Sequence, residues 1–315
     1  MTDASPKPYD LIIVGASAAG IAAAIYAARR ALRFAVISED VGGEVMNSGV
    51  IENYPGIPTT DGFALTDEFT KQLKKYDVEL LTPARVARID RADRGFALQV
   101  RKDGADQVIH AKTVIVATGV HPRLLNVPGE LEFKGKGVTY CTTCDGPLFR
   151  GKSVATIGGG NSALESAIML SGIAKQVTLL TINDAMKGEQ VLIDRVLALP
   201  NVELVTNAAT KAIVGDTVVT GVRYTDATSG EDRQIDVQGV FIHIGFIPNA
   251  DLVSHLVERN PLGEILTDAH MATNVPGLFA AGDVTAIPWK QIAIATGHGV
   301  TAALHAIDTL NRMQD

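Results

Sequence analysis

Cys141 and Cys144 are the only two cysteines of the chain, and Thr142 and Thr143 separate them. Three kinds of chemistry are open to such a pair. A zinc site takes four ligands, so one pair is half a site and needs a second chain to complete it. Two inert core thiols are a second reading, although burial makes no demand on this spacing. Redox exchange does make that demand. Two intervening residues in a short loop or helix start bring both sulfurs within bonding distance, and a helix N-terminus favours the thiolate. Redox exchange is therefore the leading reading. Asp145 follows the second cysteine directly. A free thiol has a pKa of about 8.5, so a neighbouring carboxyl that carries a proton assists exchange near neutral pH. Helix capping is the competing role for this aspartate.

The elements that must position the pair read as a nucleotide-binding scaffold used twice. Tyr9-Asp10-Leu11-Ile12-Ile13-Val14 is an apolar run of the kind found in buried parallel strands. It enters Gly15-Ala16-Ser17-Ala18-Ala19-Gly20, then an alanine-rich helical stretch to Arg30, then a second apolar run, 34–37, that ends at Ser38-Glu39. Strand, glycine turn, helix, strand and acid form a dinucleotide-binding unit, with pyrophosphate at the helix N-terminus and ribose hydroxyls on the acid. Ser17 stands where the fingerprint has its middle glycine. The pattern returns at Ser153–Ile157, Gly158-Gly159-Gly160-Asn161-Ser162-Ala163 and the strand 176–180. Near the C-terminus, the run Thr273-Asn274-Val275-Pro276-Gly277-Leu278-Phe279-Ala280-Ala281-Gly282-Asp283 reads as a strand ending in an acid that can accept from a flavin's ribityl chain.

These elements predict an α/β protein of two nested Rossmann-like, three-layer dinucleotide-binding domains. The first is discontinuous, over 1–117 and 248–315, and its closing acid, Asp283, suits a flavin. The second, 118–247, is inserted into it and carries the dithiol. Linkers are expected near 117–119 and 245–248, and a small antiparallel sheet near 84–110. The length of 315 residues suits two such cores. A net charge of −7 argues against nucleic acid or an anionic membrane as the main partner. No leader-like or spanning apolar run is read from the sequence, so a cytoplasmic location is expected.

With the motifs laid out, the chain resembles the low-molecular-weight thioredoxin reductases, and in particular the flavoprotein subunit of alkyl hydroperoxide reductase. The resemblance runs from about Tyr9 to the C-terminus. It is carried by Gly42-Gly43-Glu44, Ile51-Glu52-Asn53-Tyr54-Pro55-Gly56, Ala117-Thr118-Gly119, the run from Gly137 through Cys141 and Cys144 to Phe149, Ile244–Asn249 and Ala281-Gly282-Asp283. It implies FAD held by Gly15, Ser17, Ala18 and Gly20 at the pyrophosphate and by Glu39 at the adenosine ribose. Gly43, Glu44, Asn53, Gly119 and Asp283 follow the ribityl and ring region, and Gln291 and Ile292 open a last helix beneath the flavin. The family usually has Gln where Glu44 stands. The resemblance also implies that Cys144 faces the flavin, that Cys141 attacks the substrate disulfide, and that Asp145 carries the proton. A homodimer and a swing of the inserted domain are further implications. The thioredoxin-like domain and second cysteine pair of the alkyl hydroperoxide reductase flavoprotein are not found here, so the expected acceptor is a separate thioredoxin-like protein.

The donor follows from the second fingerprint. Gly158, Gly160, Asn161, Ser162, Thr181 and Lys187 are the candidate nucleotide contacts. NADPH-specific relatives place a His-Arg-Arg cluster after the second strand, whereas this register reads Thr181-Ile182-Asn183-Asp184-Ala185-Met186-Lys187. One lysine beside an aspartate is a poor reader of a 2′-phosphate, so NADPH is disfavoured. NADH-using relatives have Glu at the Thr181 position. The intact glycines favour NADH, and the missing ribose acceptor keeps reduced ferredoxin open as an alternative. A dithiol oxidase that uses oxygen is another, although its relatives carry His after the second cysteine, where Asp145 stands. His121, His243 and His298 stand singly and read as structural. Trp289 reads as ordinary packing.

Overall fold

The computed structural model describes residues 7–46, 48 and 50–313. Its contacts divide the chain into two compact units, one of 1–48, 53–121 and 247–315, the other of 49–52 and 122–246. The first unit opens with β1 (Tyr9–Ala16), α1 (Ala18–Ala28) and β2 (Phe34–Val41), followed by α2 (Gly62–Lys74) and β3 (Glu79–Leu81). Three longer strands come next, β4 (Ala84–Ala92), β5 (Gly95–Lys102) and β6 (Ala105–Val116). They run in one sheet in the order β3-β2-β1-β6-β5-β4. Leu11, Ile12 and Ile13 are fully buried, as expected of a central parallel strand covered on both faces.

The segment expected to form a small antiparallel sheet does pair antiparallel, but it continues the main sheet. Strands β4 and β5 pair antiparallel, and β5 pairs antiparallel with the outer half of β6, from Phe96↔Ala111 to Lys102↔Ala105. The inner half of β6 pairs parallel with β1, from Leu11↔Thr113 to Val14↔Val116. One 12-residue strand thus belongs to both arrangements. Its outer residues are mostly exposed and its inner ones buried, which marks where the covering layers end.

The crossing into the second unit is β7 (Val120–Pro122). There follow β8 (Val138–Thr139), α3 (Thr142–Asp145), β9 (Ser153–Ile157), α4 (Asn161–Ser171), β10 (Gln176–Leu180), α5 (Gln190–Leu197) and β11 (Val202–Val205). A meander of β12 (Ala208–Gly215), β13 (Val219–Asp226) and β14 (Asp232–Asp236) precedes β15 (Gly239–Ile242). The five-stranded sheet is parallel, in the order β8-β15-β9-β10-β11. Its side chains alternate between two cores. Val154, Val177, Leu179 and Phe241 pack with Leu164 and Leu170 of α4. Ala155, Ile157, Leu180, Val240 and Ile242 pack with Ile213, Val222 and Tyr224 of the meander. That is the three-layer arrangement, with helices on one face and the antiparallel sheet on the other.

The return crossing, β16 (Phe246–Pro248), pairs with β7. In the first unit, β17 (Leu278–Ala280) adds to β6 with Leu278 beside Val114. The final helix α6 (Ile292–Arg312) packs on α1, with Gly299 against the Ala19 carbonyl. Among the described residues no helix is long and apolar enough to cross a membrane.

Candidate active site

Cys141 and Cys144 are joined in a disulfide, with their Cα atoms 5.3 Å apart. The bond occupies both sulfurs in one chain, which sets aside the zinc half-site and the pair of inert thiols. Cys141 is the N-cap of α3, and its Sγ accepts from the Cys144 backbone N–H at 3.2 Å. Asp145 stands at the N-cap position of the next short turn, 146–149, but its side chain makes no capping bond. Its Oδ2 accepts from the Thr139 hydroxyl, and its buried Oδ1 has no partner among the described residues. Burial pushes this carboxyl above the usual range, with the Thr139 bond opposing. Thr139 Oγ1 also accepts from the Cys141 N–H at 3.2 Å, so one hydroxyl ties the first cysteine to the acid. Thr139 escaped the sequence reading because a threonine two residues before a cysteine carries no signal by itself.

In the same unit the second glycine turn joins β9 to α4. Gly158 has φ +157°, and a Cβ there would lie 2.2 Å from the His243 carbonyl oxygen. Gly160 is the N-cap of α4 and no side chain caps that helix. Asn161 is engaged with Glu189, donating to Oε1 at 2.9 Å and accepting from its N–H at 2.8 Å, while Ser162 is exposed. The Lys187 N–H donates to the Gly159 carbonyl at 2.7 Å, which folds the loop after β10 onto the turn. Thr181, expected as a ribose contact, is only 1% exposed, and its Oγ1 accepts from the Asn183 side chain at 3.2 Å. Around this turn Asn183 lies beside Gly159, Glu189 holds Asn161, and Ser162, Asp184 and Lys187 are exposed. Which way a side chain at a strand end turns is not written in the composition of the run, so Asn183 and Glu189 were missed.

The residues expected to hold FAD all lie in the first unit. Gly15, next to last in β1, has φ +110°, where a Cβ would fall 2.3 Å from the Ala117 carbonyl oxygen, and Gly20 packs against the Gly15 carbonyl. Ser17 is the N-cap of α1, Ala18 its first residue, and no side chain caps the helix. The Ser17 hydroxyl donates instead to the Gly42 carbonyl at 2.6 Å, and Gly43 stands against the Ser17 side chain. The turn and the 42–44 segment are thereby brought together, with Glu44 exposed. Glu39 is exposed on β2, 3.6 Å from Arg85 Nε. The Asn53 amide donates to Gln291 Oε1 at 3.2 Å, and Gln291 is the uncapped N-cap of α6 ahead of Ile292. Gly119 has φ +65° and open space where a Cβ would stand. Asp283 is half-buried, its buried Oδ1 has no hydrogen-bond partner among the described residues, and burial pushes its carboxyl up to about 6 against the pull of Lys290. A buried acceptor without a donor and two helix N-termini without side-chain caps or first-turn acids fit a dinucleotide with a polyol chain.

The histidines behave differently from one another. His121 Nδ1 meets Asn249 Oδ1 at 2.8 Å, His243 Nε2 meets the Thr142 hydroxyl at 2.7 Å, and His298 has a buried Nδ1 with no partner among the described residues. Trp289, expected to pack, is 69% exposed.

Residues 9–305 match the family model for the pyridine nucleotide-disulphide oxidoreductases. The chain belongs to that family. It is 47% identical over 315 residues to a Bacillus subtilis NADH dehydrogenase, covering 99% of this chain and 61% of that one. It is 45% identical over 305 residues to an Escherichia coli subunit of alkyl hydroperoxide reductase, covering 96% and 58%. The chain thus spans about three-fifths of the length of the curated relatives it matches. Among solved structures, thioredoxin reductase from Streptococcus pyogenes superposes with a TM-score of 0.90 at 36% identity, covering 98% of this chain and 100% of that one. The nested three-layer α/β fold and the paired cysteines accord with membership of this family.

Proposed function

We propose that the chain is an FAD-dependent disulfide reductase of the thioredoxin reductase type, which passes electrons through Cys141 and Cys144 to the disulfide of a thioredoxin-like protein. The observation that carries this reading is the disulfide whose first cysteine and adjacent acid share one threonine hydroxyl. Bound FAD supplies a two-electron carrier between a hydride donor and a disulfide. The turn at Gly15 to Gly20 and the N-terminus of α1 would hold the pyrophosphate, Glu39 the adenosine ribose, and Asp283 the ribityl hydroxyls. Asn53, Gly119 and the start of α6 at Gln291 and Ile292 would line the ring. Once the dithiol is reduced, the Cys141 thiolate attacks the substrate disulfide, one substrate sulfur leaves, and a mixed disulfide forms. Cys144 then displaces the second sulfur and re-forms the internal disulfide. Asp145, whose carboxyl burial biases toward the protonated form, holds the proton that the departing thiolate takes up.

The donor we favour is NADH. The glycines of the second turn are present, and no arginine stands in the 181–187 register to receive a 2′-phosphate. A relative named NADH dehydrogenase supports the same choice. Reduced ferredoxin is the second reading, favoured by one observation: Thr181 is buried and its hydroxyl is engaged with Asn183. Anaerobic mixing with NADH, NADPH or photoreduced ferredoxin, followed at the flavin band, separates these donors, and bleaching by NADH at low concentration is expected. The Cys141→Ser variant should keep that bleaching and lose reduction of the protein disulfide. Substrate reduction by the variant would sink the assigned roles.

A further inference from the structure

One buried polar chain runs beside the dithiol and takes no part in the exchange just described. Thr142, between the two cysteines, is 6% exposed, while Thr143 is exposed. The Thr142 hydroxyl lies 2.6 Å from Ser166 Oγ on α4 and 2.7 Å from His243 Nε2. Ser166 Oγ lies 3.4 Å from Thr156 Oγ1 on β9. A hydroxyl has one proton and two lone pairs, so two partners at such distances hold it firmly.

We propose that His243 is a positioning residue for the dithiol: its Nε2 holds the Thr142 hydroxyl, and with it the segment between the two sulfurs, in the arrangement in which Cys141 and Cys144 are joined. The histidine suits that task because its own backbone is fixed. It follows the last residue of β15, its N–H donates to the Ile157 carbonyl at 2.7 Å, and its carbonyl abuts Gly158 of the glycine turn. Burial holds its imidazole near 4, so at neutral pH the ring is uncharged and neither stabilises nor repels a thiolate. Proton transfer belongs to Asp145, and His243 acts through Thr142 alone. When the disulfide is reduced, the S–S bond breaks, two electrons and two protons are taken up, and the sulfurs separate to non-bonded distance. An anchor fitted to the closed arrangement therefore favours the disulfide over the dithiol.

This inference rests on reading the pair as an exchange centre, yet its test needs neither donor nor protein substrate. The full chain is equilibrated with mixtures of reduced and oxidised dithiothreitol, which closes to a cyclic disulfide as Cys141 and Cys144 become thiols, and the free thiols are counted by alkylation. His243→Ala is expected to shift the equilibrium about 3- to 10-fold toward the dithiol, the worth of one hydrogen bond. His243→Gln, whose amide reaches the Nε2 position, should restore it to within about twofold. Thr142→Val keeps the side-chain shape but loses the Ser166 bond as well, so it should shift the equilibrium at least as far as His243→Ala, which decides the matter if the alanine variant fails to fold. An unchanged equilibrium in the folded alanine or valine variant, or a glutamine variant that behaves as alanine, overturns the proposal. A chain that shows the shift but reduces no thioredoxin-like protein would instead overturn the proposed function.

Discussion

Asp145 and Asp283 are both carboxyls whose burial raises their pKa, and their environments assign them different work. Asp145 has one oxygen on the Thr139 hydroxyl, a bond that favours its anion. Thr139→Val removes that bond while keeping the shape of the side chain. The ionisation assigned to Asp145 should then move to higher pH in the profile of disulfide exchange, with a rate loss of about tenfold. A profile that stays in place would separate Asp145 from proton transfer. Asp283 has no such donor within the described chain, and its folded value of about 6 lies above the usual 3.8. A raised folded value means that the folded state keeps a proton the unfolded chain has lost, so stability is present below about 4 and is lost as pH rises through 6. In protein stripped of FAD, the loss between these limits is on the order of 3 kcal/mol. Asp283→Asn should abolish that slope in denaturant unfolding, and rebinding of FAD should flatten it in the native sequence. A slope unaltered by the substitution would show that another group titrates.

At the scale of elements, the glycine turns carry the clearest signal, because their requirement is steric and therefore visible in residue type. Gly158→Ala places a methyl group 2.2 Å from the His243 carbonyl in a backbone conformation that disfavours any Cβ. A cost of roughly 2 kcal/mol or more is expected in the unfolding of the inserted unit. The bound flavin should stay, since the residues proposed to hold it belong to the other unit. Loss of the yellow colour on this substitution would contradict that division of labour. The same reasoning explains what was legible in the sequence. Apolar runs, glycines and caps mark strands and turns by local rules, so β1, α1, β9 and α4 lie where their patterns place them. The pairing of β6 was not legible, because alternation in 84–110 predicts an antiparallel sheet without saying which strand continues into the parallel one. The inward turn of Thr181 and the hydroxyl bridge of Thr139 depend on neighbours distant in sequence or on side-chain direction, and neither leaves a periodic trace.

For the molecule as a whole, the proposed function calls for two redox couples on separate parts of one chain. The disulfide lies in the unit of 122–246, and the residues proposed to hold FAD lie in the unit formed by the two ends of the chain. The flavin takes two electrons as a hydride equivalent, and opening the S–S bond takes two more. Complete anaerobic reduction should therefore consume two equivalents of a two-electron reductant per chain and release two titratable thiols. Replacing both cysteines by serine removes the disulfide couple while leaving every proposed FAD contact in place. The double variant should bind flavin as before and consume one equivalent, with the flavin band bleaching from the first addition. If the native sequence also consumes only one equivalent and releases no thiols, the disulfide exchanges no electrons with the flavin, and the pair is a structural crosslink. If the double variant loses its flavin, the two couples are not separable, and the assignment of cofactor contacts to the first unit alone fails.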